Sequence, residues 1–273
     1  MKNLKCRRGA ARAHGGLVLI AAVAFSAATC GGPYTPKKMN VAGDKLALAG
    51  RLFERGNQGD AALEYKDFLA TFAGDERCDF AQYRLAESYR MDKEYALAEV
   101  EYRILISDYG YSEYVDDAFF LEGVCAFKQS PRVERDQTKS YEALNRLNRF
   151  VELFPTSARI EEAKTALHEI HEKLGEKEFL NAKLYFARKR YAAALVYLNK
   201  VIDLYPDTIW ASRSRYYRGF IKEYRRDWSD AATDYTDVLE ANGAFPEKSK
   251  AQKRLSLVEA QGGGAKKGDG SSE

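Results

Sequence analysis

The sequence predicts an all-α fold, an α-solenoid of about five helix pairs closed by a C-terminal capping helix. Three observations lead there. An alanine followed by apolar residues four and seven positions later recurs five times, the spacing that keeps one stripe of a helix apolar. A chain break follows each signature at one fixed distance, and a small residue precedes nearly all of them at another. Self-similarity of this kind marks a repeat architecture.

In chain order, the second helix of each pair is marked by Ala61, Tyr65 and Phe68; Ala98, Tyr102 and Leu105; Ala143, Leu147 and Phe150; Ala194, Leu198 and Val201; and Ala231, Tyr235 and Val238. The breaks fall at Ala73-Gly74, Gly110, Pro155, Pro206 and Gly243. Twelve positions before the marker alanine the first helices carry Ala49, Ala86, Ala182 and Gly219, with Gly123 eight positions further back in the third pair. A small residue on each partner lets two helices cross closely. These residues resemble the tetratricopeptide repeat over about 200 positions, and the 37-residue steps Ala61 to Ala98 and Ala194 to Ala231 lie close to its usual period of about 34. Three or more such units stack into a superhelix with one concave face.

The middle is irregular. Ser130 to Gln137 lengthens the turn inside the third pair, and Arg159 to Arg188 reads as one long helix with Gly175 as a place to bend. The last helix starts near Pro246, a first-turn position, and turns Leu255 and Val258 toward the preceding pair. The expected boundaries are N-terminal repeats at about 44–112, the irregular central repeat at about 115–158, C-terminal repeats at about 159–245 and a capping helix at about 246–260. A glycine-rich, disordered tail is expected at 261–273.

Residues 1–29 read as a signal peptide. Lys2, Lys5, Arg7, Arg8 and Arg12 precede an apolar run from Leu17 to Ala28, too short for a bilayer core, which takes roughly 20 residues. The run ends at Ala27-Ala28-Thr29-Cys30, which resembles the lipobox of bacterial lipoproteins. That resemblance implies cleavage before Cys30, a diacylglyceryl group and an N-acyl chain on Cys30, and a linker over 30–43. Acyl chains contribute about 0.8 kcal/mol per buried methylene, so such an anchor holds firmly. Without the five signal cations the remainder carries 38 Lys and Arg against 40 Asp and Glu; that mixed, near-neutral balance gives no footprint for nucleic acid. Cys78 and Cys125 are expected as buried thiols.

No catalytic or metal-binding constellation emerges. His168-Glu169-Ile170-His171 has its histidines three apart, whereas a zincin helix needs them four apart, so solvated histidines are expected. No glycine-rich phosphate loop precedes a helix. Neither an enzyme nor a cofactor, beyond the Cys30 lipid, is expected.

Binding should fall on the first helices. Three positions before the small residue stand Leu46, Tyr83, Phe120, Phe179 and Tyr216; four after it stand Phe53, Arg90, Phe127, Phe186 and Glu223. These largely aromatic rows either pack neighbouring helices or grip an extended peptide. Arg90 and Glu223 interrupt them with charge.

Asp116 to Gly123, the insertion with Val133-Glu134-Arg135-Asp136-Gln137, Phe154-Pro155-Thr156-Ser157 and Tyr205-Pro206-Asp207-Thr208 stand in an order and spacing that resemble the BamD (ComL-like) lipoproteins of β-barrel assembly over roughly 44–245. The resemblance implies a scaffold on the periplasmic face of the outer membrane, joined by other assembly-machinery lipoproteins. Its N-terminal repeats would receive unfolded outer-membrane proteins, with Leu46, Phe53, Tyr83, Arg90, Phe120 and Phe127 as groove residues. Its C-terminal repeats would dock on a POTRA-containing barrel insertase, with Phe179, Phe186, Tyr216 and Glu223 as candidates. The alternative is another periplasmic repeat scaffold, for pilus assembly or envelope constriction.

Overall fold

Each expected helix pair forms in the computed structural model, which describes residues 42–265. The elements are α1 (Ala42–Glu54), α2 (Gln58–Thr71), α3 (Cys78–Met91), α4 (Tyr95–Asp108), α5 (Val115–Lys128), α6 (Thr138–Leu153), α7 (Ile160–Ala187), α8 (Tyr191–Leu204), α9 (Ile209–Tyr224), α10 (Trp228–Glu240) and α11 (Pro246–Ala265). Consecutive helices pack on one another from end to end, giving an all-α solenoid of five pairs and a cap. Helix α1 starts inside the expected linker. The expected tail is corrected at its start, since α11 continues through 261–265. Cys30, the signal segment and residues 266–273 lie outside the described residues.

The periodic residues do what their spacing requires. All five marker alanines are fully buried, as are Tyr65, Phe68, Tyr102, Leu105, Leu147, Phe150, Val201, Tyr235 and Val238. Across from them sit Ala49, Ala86 and Ala182, also fully buried. The two glycines of this row mark the tightest crossings. A Cβ on Gly123 would stand 2.8 Å from Cγ of Leu147, and one on Gly219 would stand 3.0 Å from the Tyr235 ring.

Four of the five pairs close their inner turn in the same way. Gly56, Lys93, Lys189 and Arg226 adopt positive φ angles of 81°, 64°, 57° and 68°. Each following amide donates to the carbonyl five residues back: Asn57 to Leu52, Glu94 to Tyr89, Arg190 to Tyr185 and Asp227 to Lys222. This is the Schellman cap, in which a left-handed residue lets orphan carbonyls find donors.

The third pair lacks that cap. The insertion leads from α5 to α6 and is held from outside by α7. Lys173 donates to the carbonyl and hydroxyl of Ser130, and Lys177 donates to the carbonyls of Glu134 and Arg135. Helix α7 runs unbroken for 28 residues, and Gly175 has a packing role: a Cβ there would stand 3.4 Å from Thr208 Oγ1 and Trp210 Cβ. Among the described residues, no helix is long and apolar enough to cross a membrane.

Candidate peptide-binding face

The first helices of the pairs, α1, α3, α5, the C-terminal half of α7, and α9, carry both aromatic rows. Position relative to the small residue decides the environment of each side chain. Residues three before it are the more deeply covered on the third to fifth pairs.

Phe120, Phe179 and Tyr216 are 5%, 1% and 8% exposed, so their place on a ligand-facing surface is corrected: Phe120 and Tyr216 pack against the second helix of their own pair and Phe179 against the next pair. Phe120 lies 5.7 Å from Phe150, Phe179 lies 5.3 Å from Trp210 and 5.6 Å from Tyr217, and Tyr216 lies 6.0 Å from Tyr235. The same row is more open at the N-terminal end. Leu46 and Tyr83 are half-buried, and Tyr83 stacks on Tyr114 with ring centroids 4.8 Å apart. Burial pushes the Tyr83 phenol above its ordinary range.

The row four positions after the small residue is half-buried throughout. Phe53 lies beneath the Arg84 guanidinium, 3.8 Å from its ring centre, and Phe127 lies 5.4 Å from the Lys173 ammonium. Phe186 meets Tyr217 and Phe220 edge-on at 4.9 and 5.2 Å.

The two charges in this row are held by neighbours. Arg90 donates to both oxygens of Glu87 at 2.7 and 2.8 Å, and the Tyr102 hydroxyl donates to the same carboxylate. Burial opposes ionisation of Glu87, but the bonds from Arg90 and Tyr102 outweigh it and hold its pKa below the ordinary value. Glu223 accepts from Tyr235 at 2.7 Å and from Arg254 of α11 at 2.8 and 2.9 Å. Arg90 therefore presents a neutralised pair, while Glu223 ties the cap to the last repeat.

Several face residues escaped sequence reasoning. Arg84 and Phe80 stand two and six positions before Ala86, off both rows, yet Arg84 spans Phe53 and Phe80. Met91 and Tyr224 occupy one register position, five after the small residue, and are 52% and 68% exposed. Counting one further position along each first helix would have found them.

Of the two histidines, His168 is exposed and His171 half-buried. Both rings bring Nδ1 to Asp207, at 3.1 Å for His168 and 3.4 Å for His171. The Asp207 carboxyl is partly desolvated, yet its bond to His168 holds it below the ordinary value. The pair joins α7 to the turn before α9. Among the described residues no group of three His, Cys, Asp or Glu could hold a metal ion. Cys78 and Cys125 are buried thiols.

The sequence profile of the YfiO family, described as outer membrane lipoprotein, matches residues 48–235, from within α1 to within α10. One relative is the outer membrane protein assembly factor BamD of Caulobacter vibrioides, 25% identical over 198 residues that make up 70% of this chain. The matched region spans 65% of that relative's length. Among solved structures, the TPR2AB domain of yeast Sti1 in complex with pHSP90 is 14% identical, with a TM-score of 0.43 and coverage of 80% of this chain and 83% of that one. A tetratricopeptide repeat protein from Parabacteroides merdae is 15% identical, with a TM-score of 0.39 and coverage of 82% and 86%.

Proposed function

Since the chain belongs to the YfiO outer membrane lipoprotein family, we propose that it is a non-catalytic scaffold of the machinery that assembles β-barrel proteins in the outer membrane. The observation that carries this reading is the extent of the family match, which takes in parts or all of α1 to α10. The long turn of the third pair and the continuous α7 support it over a regular repeat scaffold of another envelope system.

The division of labour follows the geometry of the face. Leu46, Phe53, Tyr83 and Phe127 leave aromatic and aliphatic surface partly open on the first three pairs. An unfolded barrel strand presents alternating apolar side chains and an unpaired edge that aggregates if left free. Half-buried rings that hold such a strand lower that risk without burying it permanently. On the C-terminal pairs, Phe186, Tyr224 and Glu223 border the joint of α9 with α11, and a POTRA-containing insertase docks there in this reading. Lipid on Cys30 holds the scaffold to the periplasmic face of the outer membrane, beside other lipoproteins of the machinery.

The test is purification of the full chain through a C-terminal tag from mildly solubilised outer membranes. A POTRA-containing barrel protein is expected to accompany it in near-stoichiometric amount. Its absence, in preparations that retain other membrane complexes, overturns the assignment. Mass spectrometry of the N-terminal peptide checks the anchor: acylated Cys30 as the first residue is expected, and an unmodified Cys30 removes it.

A further inference from the structure

Resting on membership of an outer membrane lipoprotein family and on the reading that Cys30 carries an anchor, we propose that the inner turns of the fourth and fifth pairs form a cationic edge that docks on anionic phospholipid headgroups. Arg188, Lys189 and Arg190 lead from α7 to α8, and Arg225 and Arg226 lie between α9 and α10. All five side chains are exposed. The two turns are neighbours: the Tyr191 ring lies 5.5 Å from Phe186 and 5.1 Å from Tyr224.

Deeper in the same pairs the cations are engaged. Lys200 pairs with Glu178, Arg213 with Glu247, Arg218 and Lys222 with Asp234, and Arg254 with Glu223. The five turn cations make no ion pair among the described residues, although Asp227 and Asp230 follow them closely in the chain. Two of them also occupy places that glycine fills more easily. Lys189 and Arg226 hold φ at 57° and 68°, where a β-carbon strains the backbone; Gly56 fills that place in the first pair. The helix dipole offsets this strain only in part, so both turns carry charge at the expense of stability.

The shape and charge of this edge suit a flat anionic surface. Two hairpin apices side by side can meet a plane together, and each Arg or Lys near a membrane is drawn by its negative potential. Half-buried Trp228 and the 62% exposed Leu257 line one open cleft with Arg226, a mixture of ring, aliphatic and cation that fits the headgroup level. The opposite edge of these pairs, about 20 Å away along a helix such as α8, is acidic at Asp203, Asp207, Asp237 and Glu240. An anionic surface repels that edge, so charge sets which edge docks. A chain tethered by acyl groups meets headgroups at high local concentration.

The experiment incorporates the full chain through its own anchor into vesicles of brominated phosphatidylethanolamine, with or without phosphatidylglycerol. Bromine quenches a tryptophan that touches the bilayer, and Trp210→Phe leaves Trp228 as the reporter. Quenching is expected with phosphatidylglycerol, absent without it and reversed by high salt. The wild type, in which Trp210 adds a constant background, gives the same comparison if that parent misfolds. Each cation should favour the docked state about five-fold, so Lys189→Gly with Arg226→Gly should lower the docked-to-free ratio about 25-fold. The same double variant should unfold at a higher temperature than its parent, because glycine relieves both left-handed residues. Contact and stability then move in opposite directions, which a merely structural role would not produce.

Equal quenching with and without phosphatidylglycerol overturns the anionic-lipid assignment, and undiminished quenching in the double variant overturns the role of the two turns. If lipid does not quench and the double variant instead loses an acidic protein companion from membranes, the edge belongs to that protein and the proposal falls. A chain that does not incorporate into vesicles overturns the anchor, and this inference with it, while the scaffold assignment still stands or falls on the purification test.

Discussion

The four regular helix pairs and the third pair solve one problem, closing a helical hairpin, by different means. At Gly56, Lys93, Lys189 and Arg226 the backbone closes the turn through a left-handed residue and a five-residue back-bond. In the third pair side chains take over. Lys173 and Lys177 pin the insertion from α7, and buried charges tie α4, α5 and α6 together. Glu99 and Glu122 are 6% and 7% exposed and share Arg103 and Arg146, with Lys139 3.6 Å from Glu99. Backbone closure tolerates surface substitution, whereas side-chain closure depends on every partner.

The largest expected effect therefore falls on the charge cluster. Arg146 lies 2.7 Å from Glu99 and 3.5 Å from Glu122, so Arg146→Met leaves two buried carboxylates with a half-exposed Arg103. Removing one member of a buried pair costs about 3 kcal/mol, read as a lower midpoint of urea unfolding. The control is Lys164→Ala, which breaks an exposed pair with Glu161 and should cost under about 1 kcal/mol. Equal losses in the two variants would erase the distinction between the regions.

The same cluster sets a pH dependence. Burial tends to raise the Glu99 pKa, but the bonds from Arg146 and Gln129 dominate and lower it. A carboxylate with a lowered folded pKa contributes its full stabilisation above its unfolded value, about 4.3. That contribution is lost as pH falls through the folded value. Stability measured from pH 6 down to about pH 3 should fall in the wild type, and fall less steeply in Glu99→Gln. Parallel curves would show that Glu99 is not the group responsible.

A smaller effect separates the two regions at their helix crossings. Most regular pairs carry alanine where the third carries Gly123. Gly123→Ala drives a methyl to within 2.8–2.9 Å of Leu147 Cγ and Cδ2 and should cost about 1–3 kcal/mol. Pairing it with Leu147→Ala should make the double variant less damaged than the sum of the singles. A strictly additive result would mean that this contact does not limit the crossing.

The solenoid was legible because its signal is periodic: Ala61, Ala98, Ala143, Ala194 and Ala231 announce their own burial, and Pro246 opens α11 where expected. The site was legible only in part. The row of Tyr83, Phe120, Phe179 and Tyr216 looks uniform in sequence, yet only Tyr83 stays half open. Each residue's exposure depends on what the fold places over it: Trp210 and Tyr217 of the next pair over Phe179, and Phe150 and Tyr235 of their own pairs against Phe120 and Tyr216. Arg84 was not legible because its character comes from a ring 31 positions away and from acids whose engagement only the fold reveals. The extension of α11 through 261–265 was missed because glycine reads as a helix breaker.

The smallest effect tests backbone closure itself. Lys93 holds φ at 64° with its side chain in water. A β-carbon in the left-handed region costs about 1 kcal/mol, partly offset by the cation's favourable place at a helix C-terminus. Lys93→Gly should therefore raise stability by about 0.5 kcal/mol. Gly56→Lys should lower it by a similar amount, because nothing lies within 4 Å of a Cβ at Gly56 and only the backbone objects. At the matching helix end of the third pair, Ser130 stands where Lys93 does but is not among the residues of positive φ, and the preceding Gln129 donates its side chain to Glu99 and to the Cys125 carbonyl. Gln129→Gly should lose stability where Lys93→Gly gains it. Thermal unfolding of the three variants reads the signs directly, and a gain at Gln129 would show that the third turn is limited by its backbone after all.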